Sequence, residues 1–250
     1  MSSNILSILF EKDGFSFCSF KDQKIIATDF TPYEVNSEVA IELVLEHKIK
    51  DNLYLKQEYD QVYAQVLGEQ FCIVPDEYYQ QEKDNELWIS FNTELYENDK
   101  VVNEKLVNTD AHFLYSYPIE IEQMLSKFYP KYEISSASSA FLNAISTDNE
   151  TPEVFVNIHH RSVEILCLKN QKLLFYNVFS VQSKNDIIYY ILNVYKQLSL
   201  DTNQDKLYFF GNEENWEGLI KKLLNFVRHV IPGVNDATEL QYYTHYLKLL

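Results

Sequence analysis

The stretch LSILFEKDGFSFCSFKDQKIIATDF, Leu6–Phe30, recurs later in the chain as VFVNIHHRSVEILCLKNQKLLFYNV, Val154–Val178. The two copies align without a gap at an offset of 148 residues (169 − 21), so that Lys21 in the first lies against Lys169 in the second. In both copies apolar residues recur at every second position, a period that is typical of β-strands. Each copy therefore predicts three short strands joined by two tight turns.

Turn and capping residues extend this pattern. Asp13-Gly14 predicts the first hairpin turn, because glycine tolerates the positive φ that such turns require. A helix is expected from about Glu38 to Leu53 with Ser37 as its N-cap, and another after Ser183, which forms a capping box with Asp186. A strand and a further helix follow in each half. The sequence thus predicts an α/β fold of two βββαβα lobes, each a mixed sheet flanked by helices.

The segment between the two copies is less regular. Val62–Leu67 and Phe71–Val74 are predicted to pair as strands around Gly68, and Pro75 to open a helix. The polar run Ser146–Pro152 is the expected boundary between the halves. The predicted domains are residues 1–150, residues 151–231, and a tail of residues 232–250 that packs back on the body.

Charge and hydropathy restrict the partners. The net charge is −16, from 21 Lys and Arg against 37 Asp and Glu, and a field of that sign repels phosphate backbones. No run of basic residues offsets it, so we expect no nucleic-acid binding. No apolar run approaches the roughly 20 residues of a membrane helix, so no membrane insertion is expected. The composition leaves open a protein partner or self-association.

The cysteines indicate the compartment. Cys18, Cys72 and Cys167 are odd in number, widely spaced and without a CxxC pair, which argues against a disulfide framework or a zinc site. The N-terminus lacks the basic region and apolar core of a signal peptide. A cytoplasmic location is predicted.

Three motifs and the repeat carry a resemblance to known proteins. The motifs are Phe71-Cys-Ile-Val-Pro75, Leu173-Leu-Phe-Tyr-Asn177 and Leu207-Tyr-Phe-Phe-Gly211. The duplicated plan resembles the actin-like ATPase (ribonuclease H-like) superfamily. Nearly the whole chain is similar to an uncharacterised domain-of-unknown-function family from Bacteroidetes, which the resemblance assigns an actin-like fold.

The resemblance implies a test for activity. An active member needs an Asp and then a Gly at the end of each first strand, to hold the metal and to cradle phosphate with backbone N–H groups. Leu9 and Asn157 fall near the Asp positions, and Glu11 and His159 near the Gly positions. The resemblance also implies a Gly-Gly pair for adenosine, where this chain has Gly211 followed by Asn. Hydrolysis is therefore not expected, and no cofactor is predicted.

One triplet has a chemical character of its own. His159, His160 and Arg161 lie in the first turn of the second copy, facing the expected cleft between the lobes. Adjacent residues of an extended strand point to opposite faces, so the two histidines would not chelate one metal ion, and no metal site is predicted. No catalytic residue is predicted either. The candidate residues of the cleft are Asn157, His160, Arg161, Gly211 and Asn212.

Two functions from different classes follow. The first is a non-hydrolysing actin-like pseudo-ATPase that serves as a binding or scaffolding protein. The second is an enzyme with atypical nucleotide or phosphate-ester binding through His160, Arg161 and Asn212. Only this second function would involve ATP and magnesium. A structural relic whose cleft binds a small molecule of unrelated specificity is a third option.

Overall fold

The structure is a computed structural model that describes residues 3–33, 41–80, 82–211 and 218–249. The chain forms two compact units, Met1–Phe141 with Leu247–Leu250, and Leu142–Tyr246. The predicted limits at residues 150 and 231 stay a prediction; in these units residues 142–150 and 232–246 belong to the second. Ser37, Glu38 and Asn212 lie outside the described residues.

The first unit is built on a five-stranded mixed sheet. Its elements in chain order are β1 (Asn4–Glu11), β2 (Gly14–Lys21), β3 (Lys24–Pro32), α1 (Ile41–Asp51), β4 (Gln61–Val66), β5 (Phe71–Pro75), a 3₁₀ turn (Glu82–Asp84), α2 (Asn85–Ser90), β6 (Asp99–Lys105), β7 (Ala111–Pro118), α3 (Ile119–Phe128), β8 (Tyr132–Ser136) and α4 (Ala137–Ala144). The strand order is β3-β2-β1-β4-β8, and β1, β4 and β8 run parallel.

A separate three-stranded sheet, in the order β5-β7-β6, is inserted between β4 and α3. The predicted pairing of Val62–Leu67 with Phe71–Val74 is wrong. β4 pairs with β1 and β8, whereas β5 pairs with β7. The physical reason is position: β4 is a central strand, and both of its edges are already paired, with β1 on one side and β8 on the other. The helix predicted to open at Pro75 is also absent; a turn follows there, and α2 begins at Asn85.

The second unit repeats the sheet of the first. Its elements are β9 (Glu153–Ile158), β10 (Ser162–Lys169), β11 (Lys172–Ser180), α5 (Lys184–Gln197), β12 (Lys206–Gly211), α6 (Leu219–Leu223), β13 (Val230–Pro232), α7 (Ala237–Gln241) and α8 (Tyr243–Tyr246). The strand order is β11-β10-β9-β12-β13. The predicted capping box is confirmed, since Ser183 and Asp186 exchange bonds at the start of α5. Within the described residues, no helix has both the length and the apolar character needed to cross a membrane.

The two copies of the repeat share the same strands, the same turn geometry and the same register shift. Strands β2 and β3 recur as β10 and β11 at the same offset of 148 residues (162 − 14). The two-residue turns keep positive φ at both positions, 51° and 65° at Asp22 and Gln23, and 47° and 60° at Asn170 and Gln171. The register also shifts at equivalent places, between Ser19 and Phe20 and between Cys167 and Leu168. These turns and shifts show that the two sheets are copies of one structural unit.

Glycine 14 has a role other than the one the sequence predicts. Its φ is not positive, so the hairpin does not need its conformational freedom. A Cβ atom at this position would lie 2.5 Å from Phe30 Cζ and 2.5 Å from the Thr31 carbonyl oxygen. Gly14 is therefore required for the close approach of β3 to β2.

The core of the second unit lies on one face of its sheet. Val154, Val156, Val163 and Ile165 pack there against α5 and α6. The opposite face is also buried, as the central strands β9 and β10 show along nearly their whole length. Any polar side chain on that second face is therefore placed away from water.

The turn geometry leads to a first prediction. Because Gln23 has a φ of 65°, where glycine is unstrained, Gln23→Gly should raise the free energy of unfolding by a few tenths to about 1 kcal/mol. Gln23→Val should lower it by more than about 1 kcal/mol, since a β-branched residue at positive φ is strained. Urea denaturation followed by circular dichroism measures both.

The matched control is Lys24→Gly, one residue further on at the start of β3. Lys24 has ordinary strand geometry, so glycine there should be neutral or destabilising. Stabilisation by Lys24→Gly equal to that by Gln23→Gly would contradict the argument from φ.

Candidate functional site

A buried polar network lies on the second face of the sheet in the second unit. Its centre is Glu164 on β10, which is 0% exposed and directly opposite Asn157 on β9. Asn157 Nδ2 donates to Glu164 Oε2 at 2.8 Å, and Tyr176 OH donates to Glu164 Oε1 at 2.6 Å. His159 Nε2 lies 2.7 Å from Glu164 Oε2 and donates to it when the carboxylate is ionised. Three side chains thus converge on one internal carboxylate.

The network keeps Glu164 ionised. Burial alone would raise its pKa, but the hydrogen bond and charge of His159, with the bonds from Tyr176 and Asn157, outweigh burial and hold the pKa below the ordinary value. His159 is itself only 5% exposed. The pair is therefore a buried ion pair in which each partner depends on the other.

The tail of the chain closes the network. Asn157 Nδ2 also donates to Thr244 Oγ1 of α8, at 3.0 Å. The ring of the neighbouring Tyr243 lies against Phe210 at the end of β12, with 4.2 Å between ring centroids. Both Tyr243 and Thr244 are buried. Asn157 Oδ1 is buried and accepts no hydrogen bond from any described residue.

The predicted cleft residues fall into different environments. Asn157 belongs to the buried network, His160 is half-buried, and Arg161 is exposed with its carbonyl oxygen accepting from Val181 N at 2.8 Å. Gly211 pairs with Ile158 and has a φ of 91°; a Cβ there would lie 2.0 Å from the Ile158 carbonyl oxygen. Their role in binding a ligand stays a prediction.

Sequence reasoning missed the central pair. His159, rather than His160, is the histidine held by a carboxylate, and Glu164 was not selected at all. A signal for His159 did exist, because it stands two residues after Asn157 and so shares its face. No sequence signal placed Thr244 beside Asn157, since 87 residues separate them.

The first unit has a cavity at the ends of β1 and β4, the strands that correspond to β9 and β12. A cavity of 410 Å³ lies there, lined by the ends of β1 and β4, by the loop that follows β4, and by residues at the start of β6 and the end of β7. Among the residues that the structure describes, its charged side chains are four carboxylates and one ammonium group. They are Glu11, Glu69, Glu94, Asp99 and Lys12.

The innermost of these charges is Glu11, which corresponds to His159 in the repeat and is only 7% exposed. Burial, with the negative charges of Glu11 and Asp13, raises the pKa of Tyr33, another residue of the cavity wall. Lys12 Nζ lies 3.7 Å from Glu69. The described lining of the cavity therefore carries a net negative charge.

Metal and thiol chemistry receive no support from the described side chains. Among residues 3–33, 41–80, 82–211 and 218–249, no three His, Cys, Asp or Glu side chains come together as metal ligands. Cys18, Cys72 and Cys167 are free and buried, and burial raises the pKa of Cys18 and of Cys167 to about 12. A thiol with such a pKa is not a nucleophile at neutral pH.

Comparison with known proteins supports the fold. Residues 1–230 match a family described as "Protein of unknown function (DUF3822)". A crystal structure from Bacteroides thetaiotaomicron, of a protein with an actin-like ATPase fold and unknown function, is 22% identical; the match covers 99% of this chain and 95% of that chain, with a TM-score of 0.77. The predicted actin-like fold is thereby confirmed.

A second solved structure is the PilM–PilN type IV pilus biogenesis complex. It is 11% identical over 97% of this chain and 95% of that chain, with a TM-score of 0.64. A search of curated proteins finds no match. These likenesses concern the fold.

The ion pair generates a prediction about stability. Glu164→Gln should lower the free energy of unfolding by about 3–5 kcal/mol, because it leaves His159 buried beside a neutral amide. The exposed Glu58→Gln is the matched control and should change stability by less than about 0.5 kcal/mol. Urea denaturation measures both, and equal effects would contradict the assignment. His159→Gln combined with Glu164→Gln should recover part of the loss.

The same pair predicts a pH dependence. Because the folded pKa of Glu164 lies below its ordinary value of 4.5, its contribution to stability is fully present above pH 4.5 and is lost as the pH falls through the folded pKa. The stability difference between the parent protein and Glu164→Gln should therefore shrink below pH 4.5. Thermal unfolding across the acid range, followed by circular dichroism, tests this; a difference independent of pH would contradict an ionised Glu164.

Proposed function

The chain belongs to the DUF3822 family of proteins of unknown function, and we propose that it is a non-hydrolysing actin-like module that binds or scaffolds a protein partner. The proposal includes association between copies of this chain. It assigns the protein to the cytoplasm, in keeping with three free and buried cysteines, since disulfides are rare in reducing compartments.

The observation that carries the proposal is the buried network around Glu164. Under the actin-like resemblance, Asn157 and His159 stand where a metal-binding carboxylate and a phosphate-binding glycine would be needed. Both side chains are instead committed to Glu164, and Thr244 closes on Asn157. Asn157 Oδ1, which accepts no hydrogen bond from the described residues, is an acceptor, whereas a phosphate needs donors.

Electrostatics in the first unit support the same conclusion. The end of β1 faces a cavity whose described lining carries four carboxylates and one ammonium group, and Glu11 stands at the predicted glycine position. A nucleotide triphosphate would bring several negative charges into this field. Repulsion between like charges opposes such binding, and more strongly where the surroundings exclude water.

A solved structure of similar fold supports a role in binding. A structure of similar fold is known from the PilM–PilN complex, so this architecture occurs as a component of an assembly. The retention of both sheets, with their turns and bulges, indicates that the frame itself is what the protein uses. A frame that presents surfaces needs no phosphate loop.

Titration with ATP and magnesium tests the non-hydrolysing function. We expect no calorimetric heat, no shift of the unfolding temperature and no release of phosphate, because Asn157 and His159 replace the expected carboxylate and glycine and both bond to Glu164. Micromolar binding that is lost in Arg161→Ala would contradict the proposal and support the phosphate-binding alternative at His160 and Arg161. Light scattering over a range of protein concentrations then distinguishes self-association from binding to a different protein.

A further inference from the structure

We propose that the segment Ala237–Tyr246 is a displaceable cover, and that the surface beneath it binds a peptide of a partner protein in which an aromatic residue precedes an asparagine or glutamine. The surface lies at the carboxyl ends of β9 and β12, the edge at which open α/β sheets bind their ligands. The inference deepens the proposed binding function and rests on it, because it names the chemistry of the partner.

Two consecutive residues of the cover lie on two residues that are neighbours in the sheet. Asn157 of β9 and Phe210 of β12 are paired in the parallel register. Asn157 Nδ2 donates to Thr244 Oγ1 at 3.0 Å, and the ring centroids of Tyr243 and Phe210 are 4.2 Å apart. The surface therefore already holds a peptide, in which an aromatic residue is followed by a hydroxyl residue.

The fit of this peptide is incomplete at Asn157. Glu164 determines which way the amide points, because an ionised carboxylate only accepts and so draws Nδ2 toward itself. The hydrogens of Nδ2 then serve Glu164 and Thr244, whereas Oδ1 accepts from no described residue. Asn157 is 0% exposed, so this acceptor is buried, and a buried acceptor without a donor is costly.

The missing donor indicates the chemistry of the preferred ligand. A primary amide at the place of the Thr244 hydroxyl can accept from Asn157 Nδ2 and donate to Oδ1, since it has both a carbonyl oxygen and an NH₂ group. A neutral group is favoured there, because burying a charge is costly and Glu164 is already paired with His159. Asparagine and glutamine are the side chains that meet these conditions.

The cover is separable from the core beneath the other face of the sheet. The buried members of that core end, among the described residues, with Val227, and Leu240 of the cover packs against them only partly buried. The helices of the cover, α7 and α8, have five and four residues. Helices shorter than about 12 residues are marginal on their own in water, so the cover depends on its contacts with the sheet. A peptide that makes better contacts can replace it.

The test is calorimetric titration of the full chain with synthetic peptides of residues 236–247. The peptide that carries Thr244→Asn should bind about fivefold more tightly than the parent peptide, because it supplies the missing donor. The peptide that carries Thr244→Leu is the matched control, since leucine has nearly the size of asparagine without its polar atoms. It should bind about tenfold more weakly than the parent peptide, because it leaves Asn157 Nδ2 short of an acceptor.

Variants of the chain test the competition between cover and peptide. Tyr243→Ala combined with Thr244→Ala removes the two contacts of the cover, and every peptide should then bind about tenfold more tightly. Thr244→Asn in the chain should instead strengthen the cover and weaken binding of every peptide by about fivefold. The same substitution thus tightens binding when it is in the peptide and weakens binding when it is in the chain, which a merely structural Thr244 would not produce.

Controls make the outcome decisive. Thr238→Asn changes an exposed residue of the same cover and should leave peptide binding unaltered. If the double variant fails to fold by circular dichroism, the peptide series and the Thr244→Asn chain still decide the question. Absence of heat with all peptides at millimolar concentration, or equal binding of the Thr, Asn and Leu peptides, would overturn the inference.

The source of the peptide is a separate arm of the experiment. Light scattering of the parent chain should show one mass at all protein concentrations. A mass that rises with concentration, and no longer does so in the double variant, would assign the surface to the cover of a second copy and overturn the inference. Heat with ATP and magnesium would defeat only the non-hydrolysing function, whereas failure of the peptides to bind would defeat only this inference.

Discussion

The parallel pairing of β1 with β4, and of β9 with β12, is the interaction on which both units depend. On their other side, β1 and β9 each pair with an antiparallel strand, so their backbone groups are bonded on both edges. Both faces of these strands are also largely buried. Parallel neighbours require a crossover, and this places helices against the sheet. Because the carboxyl ends of paired parallel strands share one edge, the same pairing fixes where any site can form.

The two units use that edge in opposite ways. In the second, Glu164 gathers Asn157, His159 and Tyr176 around an internal anion, and the network is closed by Thr244. In the first, the repeat has Leu9 and Ser16 where the second has Asn157 and Glu164, and a buried hydrogen bond joins Gln65 Nε2 to Ser7 Oγ at 3.2 Å. A frame copied in detail has thus diverged where chemistry would be located.

Sequence reasoning predicted what depends on local pattern. The repeat, its hairpins, the Ser183 cap and the duplicated sheets follow from period, turn residues and capping residues, all of which act over a few positions. It failed where neighbours in sequence are not neighbours in space: Phe71–Pro75 leaves the first sheet for an inserted one. It also did not foresee that Thr244 meets Asn157, or that a cavity opens beside Glu11, because both depend on how distant segments pack.

The two sheet edges, one in each unit, differ in their electrostatics. Glu164 is neutralised within its own unit, and a carboxylate that already has three donors has little to offer a ligand. The described lining of the cavity at the first edge carries four carboxylates and one ammonium group, so the charge there is spread over several side chains. Removing one partner of the buried pair would leave the other uncompensated, so the fold of the second unit depends on both. The polar network at the second edge is therefore structural.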